Sequence, residues 1–187
     1  SLNNRRTPQH PIVSEYVERT LRRMNSYISL PTKSTLLDVG CGDGRFTFHL
    51  SRLFSTMGVD YSHKILTHNA ESKLARMDAL NMGFEDESFD VVFCSALLHH
   101  IEDVDKAIRE FVRISRRYLV LVEPNALNPL MALFSCLVPK ERGTLRFTPR
   151  YLKKRIQREG LHILANYSYG FDMPNRWPVS CLQIVRL

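Results

Sequence analysis

The chain has 187 residues, 44% of them hydrophobic and 24% charged, which fits one globular domain with a real core and excludes a disordered or fibrous protein. Its formal net charge of +7 admits an anionic partner. The basic residues lie in scattered pairs and triples without the interleaved aromatics of a single-strand stacking platform, so solvated helix faces are the preferred reading.

The N-terminal SLNNRRTPQHP has no apolar core and reads as a loose arm rather than a secretory signal. Ile12/Val13, Tyr16/Val17, Thr20/Leu21 and Met24 then recur as one stripe of a helix, so residues 1–30 form an expected arm and helix. Pro31 breaks the chain before a first strand, 35–39. That strand runs into Gly40-Cys41-Gly42-Asp43-Gly44, and Phe46, Leu50, Leu53 and Phe54 predict a helix over about 44–54. Strand, glycine turn, helix is the opening unit of a nucleotide-binding α/β sheet, where the turn needs unusual dihedrals and close ligand approach. Arg45 occupies the place of the third glycine of G-x-G-x-x-G, which points away from a pyrophosphate ligand.

A second strand, 56–59, ends in Asp60; Tyr61-Ser62 open a helix to about Asn69; a third strand, 73–77, ends in Asp78. Residues 81–88 read as a polar loop. FDVVFC, 89–94, is a nearly all-apolar fourth strand, as expected when helices cover both faces. A helix over 104–115, a fifth strand over 118–122 and an apolar, Pro-bounded segment over 127–138 follow. Thr148-Pro149 reads as N-cap and first turn of a helix that stops at Gly160. Ile163–Tyr169 is a sixth strand, and residues 178–187 are ambiguous between strand and helix. The chain is thus expected to be one domain, 1–187. Its fold class is α/β, a Rossmann-like, doubly wound, mostly parallel sheet with helices on both faces. No apolar run reaches the roughly 20 residues a membrane helix needs. The four cysteines, Cys41, Cys94, Cys136 and Cys181, have no metal or redox spacing. No metal is expected, and reduced thiols suit a cytoplasmic protein.

Ligands of such sheets bind beyond the carboxyl ends of the strands. Those ends carry Gly40–Gly44, Asp60, Asp78, Ser95 and Glu123. Asp60 suits the two hydroxyls of a ribose, or a turn. Tyr61 could lie on an adenine face or at the rim. Asp78 could accept the exocyclic amine of adenine or be an ordinary loop residue. Asp38, inside the first strand, costs free energy unless partnered. Bonds from the glycine-loop amides or a cationic ligand would resolve that.

LLDVGCGDG, then GVDYS, then RMDALNMGFEDESFDVVFCSALLHHIED resembles the class I S-adenosylmethionine-dependent methyltransferases, in particular their small-molecule type 11 branch. The resemblance is strong over 35–123. It implies S-adenosyl-L-methionine as cofactor and S-adenosyl-L-homocysteine as product. Gly40, Cys41 and Gly42 would line the methionine part, Asp60 the ribose, Asp78 and Ala79 the adenine, and Ser95 the transferred methyl. Asp38 and Tyr61 complete the expected cofactor set. The family sheet ends in an antiparallel seventh strand, whose presence the ambiguous tail leaves open.

His100 and Glu123 are the candidate proton acceptors, the alternatives being a packed or helix-capping role for His100 and substrate binding or loop capping for Glu123; Tyr16 and His99 are candidate substrate contacts. Methyltransferases acting on amines of bases or glutamine often carry N/D-P-P-Y/F after strand four; here that place reads Cys94-Ser95-Ala96-Leu97. The N-terminal helix and the segment 127–147 are expected to roof the strand tips, the latter as a lid suited to an apolar acceptor. The expected activity is methyl transfer to a small molecule, apolar ones included. RNA-directed methylation and non-catalytic cofactor binding are the alternatives.

Overall fold

The computed structural model of the chain describes residues 6–31, 33–169 and 180–186. Residues 1–5 of the expected arm, and Pro178, Val179 and Leu187 of the ambiguous tail, lie outside them. Among the described residues seven strands form one sheet: β1 Thr35–Val39, β2 Ser55–Asp60, β3 Leu74–Arg76, β4 Phe89–Ser95, β5 Ser115–Pro124, β6 His162–Tyr169 and β7 Ser180–Arg186. Their order is β3-β2-β1-β4-β5-β7-β6. The first five pair in parallel, and β7 runs antiparallel to both β5 and β6. The tail is therefore a strand, and the antiparallel seventh strand is present.

Alternation along each strand decides which face a residue serves. Leu36, Val91, Phe93, Val120 and Val122 pack with Val13, Tyr16, Val17, Leu21 and Met24 of α1 (Pro11–Asn25). Leu37, Val39, Val92, Cys94, Leu119 and Leu121 pack on the opposite face. There they meet Val104, Ala107, Ile108, Phe111 and Ile114 of α4 (Val104–Ile114), with Leu152 and Ile156 of α6 (Pro149–Arg158). Each such fully buried side chain contributes about 1.5–3 kcal/mol. The cap expected at Thr148 is present: its hydroxyl accepts from the Tyr151 N–H at 3.1 Å.

Two helices are shorter than their periodicity predicts. The helix expected over 44–54 shrinks to α2, Thr47–Leu50. Gly44 has φ +88, so no helix can start there, and the Leu53 N–H bonds back only three residues, to Leu50. The one expected over 61–69 is α3, His63–Leu66, capped by the Ser62 hydroxyl. β5 is longer than expected because β4 pairs with it from Ser115 and β7 as far as Pro124.

Between β5 and α6 the chain makes an excursion: α5 (Pro129–Leu137), then a 3-10 segment, Pro139–Arg146. Its base is closed by the Ala126 N–H donating to the Phe147 carbonyl at 2.8 Å. The Asn128 side chain caps α5 through the Leu130 and Met131 amides. Leu130, Leu133 and Leu137 of α5, with Leu127 and Leu145, stay exposed. α1 lies across the sheet face rather than over the strand tips.

Candidate active site

Parallel register brings the ends of β1, β2, β3 and β4 side by side. Val39 is level with Val59 and with Cys94, and Asp60 with Arg76. After β1 the chain turns through Gly40, Gly42 and Gly44, at φ +73, +55 and +88, which L side chains adopt only with strain. A Cβ on Gly40 would come within 2.9 Å of Leu97, and one on Gly44 within 2.4 Å of Asn69. At either position Leu97 or Asn69 would have to move to admit a side chain, on top of the strained dihedral.

Asp60 is the clasp of this turn. Its Oδ2 accepts from the Gly42 N–H at 3.0 Å and its Oδ1 from the Ser62 N–H at 2.8 Å. Each oxygen keeps a lone pair for a ligand. Tyr61 is exposed, with the Arg76 guanidinium 5.4 Å from its ring centre and donating to its carbonyl. Asp78 is also exposed, and its Oδ1 accepts from the Leu80 N–H. Ala79 and Ser95 are half-buried. The loop beyond Asp78 is pinned by Arg113, which donates to the Met82 and Phe84 carbonyls and to Glu110 and Asp86.

Asp38 is 2% exposed and shares the α1/α2 face with Leu36. Its partner is the Thr47 hydroxyl, 2.7 Å away, not the glycine-loop amides. Burial, offset in part by Thr47 and reinforced by the Asp60 charge, pushes its carboxyl up to about 7. Burial, with the Asp38 and Asp60 charges, also holds the Cys41 thiol well above its ordinary value, so it stays neutral. The folded pKa of Asp38 lies above its unfolded value. The associated stability is therefore complete below about pH 4 and lost as pH rises through 7. Asp38→Asn should remove that slope. Between pH 5 and 8, urea unfolding of the wild type should lose on the order of 2 kcal/mol more stability than the variant. Parallel slopes would refute the assignment.

The β4 tip leads into a second cluster. Ala96 has φ 53, and the 3-10 turn Leu98–His100 follows. Glu123, fully buried at the end of β5, holds this turn: its Oε1 accepts from the Leu97 and Leu98 amides at 2.9 and 2.8 Å. Its Oε2 takes the His99 Nδ1 at 2.7 Å. His99 is 4% exposed, and its Nε2 lies 3.3 Å from Glu141 Oε2. Burial opposes a charge on this ring, but the bonds to Glu123 and Glu141 outweigh it and raise His99 to about 9. His100 is exposed, its ring centre 3.9 Å from that of His99. Burial of the ring and the His99 charge hold it below its ordinary value. Gly143 packs on this turn so closely that a Cβ would sit 1.8 Å from the His99 carbonyl.

Tyr16 is buried, edge-on to Phe46 at 5.9 Å. Asn69, Thr47 and Glu141 were not singled out by motif. Asn69 Nδ2 donates to the Gly42 carbonyl at 3.4 Å; no local pattern marks it.

A family model described as "Methyltransferase domain" matches residues 37–120. Over 92 residues the chain is 36% identical to a tRNA (carboxymethyluridine(34)-5-O)-methyltransferase of Arabidopsis thaliana, covering 46% of this chain and 22% of the relative. It is 28% identical over 124 residues to the ajmaline N-methyltransferase of Rauvolfia serpentina, 59% of this chain and 43% of that one. The chain thus spans less than half the length of these curated relatives. A crystal structure of a SAM-dependent methyltransferase from Archaeoglobus fulgidus superposes with TM-score 0.72 at 17% identity, covering 92% of this chain and 94% of that one. The fold is shared with that structure.

Proposed function

We propose, from the match of residues 37–120 to a methyltransferase-domain model and the fold shared with a SAM-dependent methyltransferase, that the protein transfers a methyl group from S-adenosylmethionine to a small, apolar acceptor. The observation that carries the reading is the alignment of the Gly40–Gly44 turn, Asp60 and Asp78 at three successive strand ends.

The residues present fit the cofactor. A Cβ on Gly42 would meet nothing closer than 3.6 Å, so that stretch of backbone is open to a ligand. The carboxylates of Asp60 and Asp78 would repel phosphates but accept hydroxyls and an amine. When bound, the cofactor supplies a methyl group already activated by a sulfonium charge. The chain's own part is then alignment and exclusion of water.

Gly40, Cys41 and Gly42 would line the methionine part through their backbone, with Asp38 on the cationic side. Asp60 would hold the ribose hydroxyls, Tyr61, Asp78 and Ala79 the adenine, and Ser95 the end nearest the reacting atoms. His100, kept neutral near pH 7, would take the acceptor's proton. Glu123 and His99 are better read as positioning residues, since both are buried and mutually bonded. Tyr16 supports Phe46 rather than the acceptor. The excursion over 127–147 would be the lid, and its exposed leucines favour an apolar acceptor. The unpaired thiols Cys41, Cys94 and Cys136 suit the expected cytoplasmic location. Among the described residues no helix is long and apolar enough to cross a membrane.

The Arabidopsis relative and the +7 charge support tRNA as the second reading. Incubation with methyl-labelled cofactor and fractionated extract separates the two. Label in extracted small molecules is the expected result, and label in the tRNA pool would replace it with the RNA reading. Absence of S-adenosylhomocysteine binding by calorimetry would remove both.

A further inference from the structure

We propose that His99, His100 and Glu141 form a binding site for a divalent transition-metal cation. Each offers one ligand atom, and the three atoms lie within 4.8 Å of one another. The spacing on the two sides of the His99 ring differs. Nδ1 meets Glu123 Oε2 at 2.7 Å, a tight charge-assisted bond. Nε2 stands 3.3 Å from Glu141 Oε2, long for such a bond. It matches the edge of a tetrahedral site, since ligands at about 2.0–2.1 Å from a metal lie about 3.3–3.4 Å apart.

Glu123 supplies what a metal-binding imidazole needs behind it. A carboxylate on Nδ1 fixes the ring's orientation and tautomer and leaves Nε2 to face the ion. Glu123 is itself locked by the Leu97 and Leu98 amides. Gly143 seats the Glu141-bearing segment against the His99 carbonyl. The third ligand, His100, is exposed, with its ring bonded to the Lys140 backbone; an ion bound there takes the ring out of the proton-acceptor role.

The charges also balance. A dication meets the two carboxylates Glu123 and Glu141, so the assembly is formally neutral where His99 and Glu123 are buried. Binding displaces the proton shared between Nε2 and Glu141. Two imidazoles and one carboxylate suit Zn²⁺, Co²⁺ or Ni²⁺ rather than the all-oxygen shells of Mg²⁺ or Ca²⁺. Three protein ligands leave a fourth position open. Its occupant class is an oxygen donor: water, or a hydroxyl, enol or carboxylate of the acceptor. Only occupancy of that position by the acceptor rests on the methyl-transfer reading.

The test uses tag-free protein carrying Cys136→Ser, to remove an exposed thiol that would compete, freed of metal with a chelator. Zn²⁺ is titrated by calorimetry and Co²⁺ by visible absorption. One equivalent should bind, Co²⁺ should show the intense d–d bands of a four- or five-coordinate ion, and Mg²⁺ should give neither. His100→Asn and Glu141→Gln should each weaken Zn²⁺ at least tenfold, with the circular dichroism spectrum and S-adenosylhomocysteine affinity retained. No bound equivalent in the parent, or binding that survives both substitutions, would overturn the site. Loss of S-adenosylhomocysteine binding in the parent would count against the cofactor reading instead.

Discussion

Replacing Glu123 with alanine lowers the unfolding free energy by about 3–5 kcal/mol, the expected effect of breaking a buried charge pair from one side. The residue is fully buried and makes three bonds from two oxygens. Alanine leaves the His99 ring without its closest counter-charge. It also leaves the Leu97 and Leu98 amides without acceptors in a buried turn, each costing about 1–3 kcal/mol before relaxation. Glu123→Gln keeps the volume and one acceptor oxygen and should recover part of the loss. Urea unfolding at pH 7 with an unchanged m value is the measurement. A loss below about 1 kcal/mol for the alanine variant would mean that the turn does not depend on this carboxylate.

For Asp60→Ala the expected result is weaker binding of S-adenosylhomocysteine by about 2–3 kcal/mol, roughly 30- to 160-fold. Two effects add. The ligand loses a charged acceptor for its ribose hydroxyls, and the Gly42 and Ser62 amides lose the carboxylate that holds the turn in shape. Asp60→Asn separates them. It keeps an acceptor oxygen but loses the charge and sets an amide donor on one side, so its affinity should fall between the other two. Calorimetry on the three proteins decides, and an alanine variant within threefold of wild type would remove Asp60 from the ribose.

Much of this fold was legible because apolar strands and amphipathic helices carry different periods. The FDVVFC strand and the Val104–Ile114 stripe are long enough to declare themselves. The short elements were not. At the glycine turn the apolar spacing of Phe46, Leu50 and Leu53 mimics a full helix, yet Gly44 at φ +88 delays its start and only Thr47–Leu50 is α-helical. The tail was ambiguous because SCLQIVR, paired on both sides, is too short and too irregular in its apolar spacing to declare either period.

The same limit applies to the site. Gly40, Asp60 and Asp78 were legible as strand-end residues because each stands at, or within two residues of, the end of its own strand. Glu141 was not, since it reaches His99 across 42 positions from a segment with no period of its own. Nor could sequence choose between His99 and His100. In a three-residue 3-10 turn neighbours point about 120° apart, and only the strand carrying Glu123 decides which one faces inward. Thr47 as partner of Asp38 is a similar case: it reaches the acid from α2, outside any motif.

The position of β7 bears on how the chain is made. β6 emerges from the ribosome first, yet its only sheet partner among the described strands is β7, synthesised roughly a second later at about 5–20 residues per second. In that interval the flank of β5 is an open template, and β6 could dock there directly in a counterfeit register. Correct assembly requires the later strand to insert between two earlier ones. A nascent chain stalled before residue 180 is therefore the species most exposed to mispairing.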